Sequence, residues 1–433
     1  MEITVEEIYS RRKFTGRRLV MLDGAAGFQQ IASVTHNASL DLAFSGDYSS
    51  IGSNYEQAFE QADGLVFEKL GVAIVKEAYE ERIKKLSEGP KAQRVFLYDE
   101  PERYLYSLEN PQKGVARNFF RWLLQLLGKK ITSPSRQLPL PPLPTSYTDD
   151  AQAFWGIHAT QALQSPFTGK GVKLAILDTG MVTTHPDFIN RTITSRSFIT
   201  GETVDDLNGH GTHCTGIAAG GSLPDGRRYG VASEADIYIA KVLSNAGSGT
   251  DSSILAGMEW ALTQGCRILS MSLGGPVSPG QTYSRIYNDI ATRAMDQGTI
   301  IIAAAGNDSR RSQQLIRPVS HPANCPAIMA VGAIDNMLNV ADFSCGGINE
   351  DGGEINLVGP GVSVFSAYKD PQQFANLSGT SMATPFVAGA AALYWEKNPE
   401  ATARQIWELL VKDARKLDFP PADIGAGLVK CPI

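Results

Sequence analysis

From about residue 150 onward, short runs of consecutive apolar residues alternate with stretches in which apolar positions recur every three or four residues. Val172–Leu177 (VKLAIL), Ile237–Val242, Arg267–Met271, Thr299–Ala304 and Ala327–Val331 read as strands, with Ser252–Gln264 and Ser284–Gln297 as helices between them. Continuously apolar strands alternating with helices predict an α/β fold, a parallel sheet with helices on both faces. In such sheets chemistry collects at the carboxyl ends of the strands.

The first third has another texture. Arg18–Asp23 (RLVMLD), Val72–Val75, Arg94–Tyr98 and Arg103–Leu108 read as short strands and Tyr55–Leu70 as an amphipathic helix, which predicts a small α+β domain. Between the two textures lies Leu138–Pro144 (LPLPPLP), followed by the polar TSYTDD. Proline fixes φ and removes amide donors, so this stretch is expected to be an extended linker. The chain is thus divided into an N-terminal unit (1–137), a Pro-rich linker (138–150) and a larger unit (151–433), with no internal repeat.

A length of 433 residues at 43% hydrophobic composition supports a sizeable core and more than one structural unit. The formal charge of −6 argues against nucleic acid as the main partner. The five cysteines, Cys214, Cys266, Cys325, Cys345 and Cys431, are widely spaced and form no CxxC pair, which disfavours a zinc site and a secreted disulfide framework. The first residues, MEITVEEIYSRRKFTGRR, carry no apolar core of a signal peptide, so a cytoplasmic location is expected. No run of about 18 apolar residues predicts a membrane span. Asn118–Leu127 (NFFRWLLQLL) is too short to cross a bilayer and reads as a helix packed on the protein.

Three segments hold candidate chemistry. The first predicted strand runs directly into Asp178, in LAILDTG. A carboxylate there is costly unless hydrogen-bonded, although such an Asp could simply cap a turn. NGHGTHCTGIAAG carries His210 and His213 at a tightly packed helix start; zinc helices use i, i+4 spacing with an intervening Glu, which is missing. LSGTSMATPFVAGAAALYW places Ser381 before an Ala-rich helix, where free amides favour negative charge and where an ordinary N-cap would also sit. A serine nucleophile needs a base, the base needs an orienting carboxylate, and the oxyanion needs donors.

In this order and spacing, DTG, HGTHCTG and GTSMATP resemble the subtilisin-like serine protease family over about Trp155–Gly427. The resemblance implies a parallel-sheet α/β catalytic domain and serine endopeptidase activity through an acyl-enzyme. Asp178 would orient the base, His210 would be the base and Ser381 the nucleophile. It also implies that Asn307, in AAAGND, shares the oxyanion hole with the Ser381 N–H. Ser272, Leu273 and Gly274 (within SMSLGGP) and Gly247 (within LSNAGSG) would line the substrate edges. Ala304 and Gly306 would wall the primary pocket. Asp308 is a candidate selector of basic side chains. The implied partner is polypeptide in extended conformation, and the N-terminal region would be a pro-region acting as intramolecular inhibitor, cut within Lys129–Asp150. No cofactor is required for the chemistry; Asp187, Asp205 and Asp206 are candidate ligands for a structural calcium. Cys214 is expected beneath the base. A dedicated processing peptidase for one precursor, and a catalytically silent peptide-binding relative, are the alternative roles.

Overall fold

The computed structural model describes residues 14–24, 27–48, 59, 61–88, 95–108 and 144–433. The helix suggested near 119–127 and nearly all of the Pro-rich segment lie outside them. Two sheets of seven strands organise the chain.

Five strands of the first sheet are β1 (Phe14–Leu22), β2 (Leu42–Phe44), β3 (Gly64–Phe67), β4 (Val72–Lys76) and β5 (Phe96–Ser107), in the order β5-β1-β4-β3-β2, and two short strands of the larger unit, Ser248–Thr250 and Leu273–Gly274, complete it beside β5. All neighbours are antiparallel except β2 and β3. Side chains alternate across a strand, so the sheet has two different apolar faces. Val20, Leu22, Val66, Ala73 and Val75 pack under helices α1 (Phe28–Asn37) and α2 (Glu80–Glu88), through Ile31, Ile83 and Leu86. Leu19, Met21, Leu65, Phe67, Val72 and Ile74 instead belong to the large core shared with the rest of the molecule.

The predicted helix over Tyr55–Leu70 is corrected in its second half, while Phe59 and Gln61 are helical as expected. Gly64–Phe67 is a strand, buried at all four positions. Asp63–Gly64 breaks the helical period, and a run of four buried positions suits a sheet covered on both faces. The two short strands expected at Arg94–Tyr98 and Arg103–Leu108 are one long strand, β5, with register shifts against β1. Pro101 faces the pairing at Arg18, and the chain continues through it.

The second sheet comprises β6 (Lys173–Asp178), β7 (Ile193–Ser197), β8 (Asp236–Lys241), β10 (Ile268–Met271), β12 (Ile300–Ala304), β13 (Met329–Ile334) and β14 (Leu357–Pro360). Its order is β14-β13-β12-β10-β6-β8-β7 and every pair is parallel, as the apolar runs predict. Helices α3 (His210–Ala219), α4 (Asp251–Thr263), α5 (Arg285–Asp296), α6 (Thr380–Lys397) and α7 (Ala403–Asp413) cover it. A hairpin of β15 (Val364–Ala367) and β16 (Phe374–Leu377) stands beside α3. All five cysteines are buried and unpaired. Among the described residues no helix is long and apolar enough to cross a membrane.

Polar anchors join the two units. The Glu259 carboxylate on α4 accepts from the Lys69 N–H (2.9 Å), the Leu70 N–H (3.0 Å) and the Ser45 hydroxyl (2.9 Å). Arg293 on α5 donates to the Leu70 carbonyl at 3.0 Å. In return Glu102 accepts the Ser252 N–H (2.8 Å) and Glu100 the Ile286 N–H (3.2 Å), so strand β5 sets a carboxylate at the positive N-terminal end of both helices.

Candidate active site

The end of β5 runs between two short edges, β9 (Ser248–Thr250) and β11 (Leu273–Gly274), and pairs antiparallel with both. Tyr106 faces Ser248 on one side and Gly274 on the other. The Ser107 N–H donates to the Gly247 carbonyl (2.9 Å) and the Leu108 N–H to the Ser272 carbonyl (3.4 Å). Of the expected substrate-edge residues, Gly247, Ser272, Leu273 and Gly274 therefore hold an extended segment of the chain itself. At Gly274 a Cβ would lie 2.9 Å from the His321 carbonyl and 3.1 Å from a Leu108 methyl, which is why a side chain is absent there.

Asp178 ends β6, and Ser272 and Asn307 follow the carboxyl ends of the two strands next in the sheet, β10 and β12. Ser381 comes to the same point on α6, whose residues Thr380–Trp395 are all buried. It occupies the first turn of that helix rather than the cap, which is Gly379. Pro385 lies four residues beyond Ser381 inside the helix. Proline has no N–H to return to the Ser381 carbonyl. That carbonyl accepts instead from Ser272 Oγ (2.8 Å) and Cys214 Sγ (3.6 Å), which ties the nucleophile's turn to the substrate edge and to α3.

His210 opens α3 after Gly209, whose φ of 100° is left-handed and whose Cα faces the Tyr368 ring at a would-be Cβ distance of 2.5 Å. The His210 Nδ1 is 2.7 Å from Asp178 Oδ1, with both side chains buried. The Thr179 N–H also donates to Asp178 Oδ1 at 2.7 Å. Burial disfavours the imidazolium, but the adjacent Asp178 carboxylate outweighs it and holds the His210 pKa well above its ordinary value. His210 Nε2 is buried without a hydrogen-bond partner among the described residues, and Ser381 Oγ donates to the Ser272 carbonyl at 3.1 Å. The other histidine of the motif, His213, bonds the Ala375 carbonyl through Nε2 (3.0 Å), and burial depresses its pKa to about 3.

Asn307 Nδ2 donates to the Leu108 carbonyl at 2.6 Å. Its Oδ1 accepts both the Thr380 N–H and the Thr380 hydroxyl, each at 2.9 Å, while Thr380 Oγ1 accepts the Gly306 N–H at 3.1 Å. An oxygen so occupied leaves the amide nitrogen facing the cleft. Thr380 is a site residue that the sequence reading passes over, although it sits next to the candidate nucleophile. Ala304 is buried at the end of β12, and Gly306 has a left-handed φ of 110° beside Ser320.

The remaining candidates sort by geometry. Burial, opposed by Arg310 and Arg317, raises the Asp308 pKa. Asp308 therefore already has two cationic neighbours in its own chain. Asp187 accepts the Tyr229 hydroxyl, Asp205 accepts Thr203, and Asp206 binds main-chain and hydroxyl donors around His210. The three carboxylates therefore meet separate partners. In the loop GGSLPDGRRYG, Arg228 donates to the carbonyls of Ala162, Gly230 and Val231. The only close group of three potential metal-ligating side chains among the described residues is Asp178, His210 and Cys214. Cys214 Sγ is 3.9 Å from His210 Nδ1, as expected for a thiol beneath the base, and burial raises its pKa.

A parallel α/β sheet with a serine-bearing helix at its carboxyl edge and a peptide-shaped cleft beside it defines a subtilisin-like serine endopeptidase. The model of the subtilase family, peptidase S8, matches residues 169–427. Subtilisin Savinase of Lederbergia lenta is 42% identical over 279 residues, 64% of this chain and 96% of the relative. An alkaline protease of Alkalihalobacillus alcalophilus is 42% identical over 279 residues, 64% of this chain and 68% of its own. Subtilisin E of Bacillus subtilis (strain 168) is 38% identical over 253 residues, 58% and 62% of the two chains. The chain belongs to the subtilase family.

Proposed function

We propose that this serine endopeptidase is made as a self-inhibited precursor and cleaves extended polypeptide through Asp178, His210 and Ser381. The observation that carries this reading is the Leu108 carbonyl, bonded to Asn307 Nδ2 at 2.6 Å while Ser107 and Leu108 are strung between both cleft edges. That is the pose of an acyl residue before the bond to be cut.

In the reaction, Ser381 Oγ turns from the Ser272 carbonyl to His210 Nε2 and gives up its proton as it adds to the substrate carbonyl. Asp178 fixes the His210 tautomer through Nδ1 and stabilises the imidazolium. The oxyanion is held by Asn307 Nδ2 and by the Ser381 N–H at the free end of α6. His210 then passes the proton to the leaving amine, leaving an acyl-enzyme. Water, deprotonated by the same imidazole, releases the acid and restores Ser381. None of these steps needs a metal.

The first substrate is the chain itself, cut after Leu108, upstream of the 129–150 window. Until the fragment leaves, residues 105–108 block the cleft. Leucine in the first pocket and buried Leu105 three residues earlier indicate a preference for apolar side chains before the cut. Intact mass measured over time on the wild type and Ser381→Ala, each mixed with an unfolded protein, tests the reading. The expected result is loss of residues up to Leu108 and digestion of the added protein by the wild type alone. A first cut within 129–150 would overturn the assignment of Leu108, and an intact mixture would overturn the precursor scheme.

A further inference from the structure

Asp206 was a candidate calcium ligand, yet its carboxylate is wholly engaged elsewhere. It is buried, and five donors converge on it. Oδ1 accepts the Thr179 hydroxyl (2.8 Å), the Gly209 N–H (2.8 Å) and the Asn208 N–H (3.1 Å). Oδ2 accepts the Thr212 N–H (2.8 Å) and the Thr212 hydroxyl (2.7 Å).

These donors come from only two pieces of chain. Thr179 follows Asp178, while Asn208, Gly209 and Thr212 surround His210. Thr179 Oγ1 passes the link onward by accepting the Gly211 N–H at 2.9 Å, and its own N–H binds Asp178 Oδ1. Free amides at the start of α3 would otherwise be buried without partners, because Gly209 offers no side-chain cap. One carboxylate thus caps the helix that carries the base and clamps it to the strand end that carries the orienting acid.

We infer that Asp206 is a positioning residue, one that sets the Asp178–His210 contact through Thr179, Gly209 and Thr212. The inference rests on the triad reading above. An aspartate is required chemically. Two oxygens accepting from both sides cannot be matched by an amide, whose nitrogen would have to face at least one main-chain N–H. The groups bearing on the His210 charge are Asp178 and Cys214. Loosening the clamp weakens the carboxylate contact that favours the imidazolium, so the base should become less basic as well as misplaced.

The test compares the full chain, matured by its own N-terminal unit, with Asp206→Asn, Thr179→Val and the double variant, on a soluble peptide with leucine before the cut. For Asp206→Asn, kcat should fall about 100-fold, the scale expected for a misplacement near 1 Å. KM should stay within about twofold, since the substrate edges are untouched. The acid limb of kcat/KM should move to lower pH. Thr179→Val should shift both readouts in the same direction by less, and the double variant should lose less than the product of the two, because both act on one link. A purely structural brace would lower Tm and leave the acid limb and kcat of the folded fraction unchanged, and that result would overturn the inference. If Asp206→Asn does not fold, Thr179→Val decides, since it keeps the carboxylate and its other donors: an unmoved limb and kcat refute the role. A wild type that fails to turn over the peptide would bring down the triad reading, and the positioning role with it. A wild type that works beside an equally active Asp206→Asn removes the positioning role alone.

Discussion

The two seven-stranded sheets solve the problem of burial in different ways. The parallel sheet is covered on both faces by helices of its own unit, and strands such as β6, β12 and β13 are apolar almost without interruption. The N-terminal sheet covers one face with α1 and α2 and leaves Leu19, Met21, Leu65, Phe67, Val72 and Ile74 to be covered by the other unit. A small sheet with one large apolar face open is marginal in water. The difference teaches that the N-terminal unit is stable as half of an interface, and that its hold on the cleft is part of its own fold. Cutting after Leu108 would remove the covalent link while leaving that interface in place.

The largest perturbation of this relationship is Ser381→Ala. Hydrolysis should fall by about a million-fold, a magnitude established on a subtilisin and not deduced for this chain. The N-terminal unit should then stay attached, as read by intact mass. Asn307→Leu should lower kcat by about 100- to 1,000-fold, again a range set on a subtilisin. It also removes the bond to the Leu108 carbonyl. Self-cleavage should slow with it, measured as the rate at which the full-length mass disappears.

Acidity sharpens the comparison next. Burial raises the Glu102 pKa to about 7, partly opposed by its bond from Thr15 and by Arg17. In solvent the group would titrate near its ordinary value of 4.5. The bound state therefore holds the extra proton, so this contribution to the interface is complete below about 4.5 and is lost as pH rises through about 7. His321 has the opposite sign, since burial lowers its pKa and its contribution is lost on acidification. Nearly all of the Glu102 change falls between pH 4.5 and 7, where the cut N-terminal unit should dissociate more readily as pH rises, by at most roughly 300-fold and by less wherever His321 opposes it; above pH 7 only about a twofold change remains. Glu102→Gln should flatten that dependence. Dissociation constants for the cut unit and the Ser381→Ala catalytic unit, measured across this window, check the sign.

The smallest effect should come from Arg293→Ala. It removes the donor to the Leu70 carbonyl at the interface and should weaken the hold of the N-terminal unit by about 1–3 kcal/mol, without changing kcat of the mature enzyme. Titration of the two units against each other reads the first quantity, and peptide turnover after removal of the fragment reads the second.

The catalytic unit was largely legible in sequence because its signals are local. Uninterrupted apolar runs such as Ile300–Ala304 announce buried parallel strands, and Asp178, His210 and Ser381 each sit in a short motif with its own turn chemistry. The N-terminal unit was less legible. Gly64–Phe67 was hidden in a helical reading because a strand covered on both faces loses the alternation that marks a strand. Its second cover is contributed by residues far away in the chain.

Sequence alone determined the parallel α/β architecture, the family and the candidates for nucleophile, base, orienting acid and oxyanion donor, since each depends on residues close together in the chain. Only the tertiary structure decided that Thr380 turns the Asn307 amide toward the cleft. The same is true of Asp206 binding Thr179 and Gly209, and of Leu108 being the residue held between the two edges. Each of these is a hydrogen bond between segments distant in sequence. The direction of a donor or acceptor in space is fixed by packing, and no spacing along the chain encodes it.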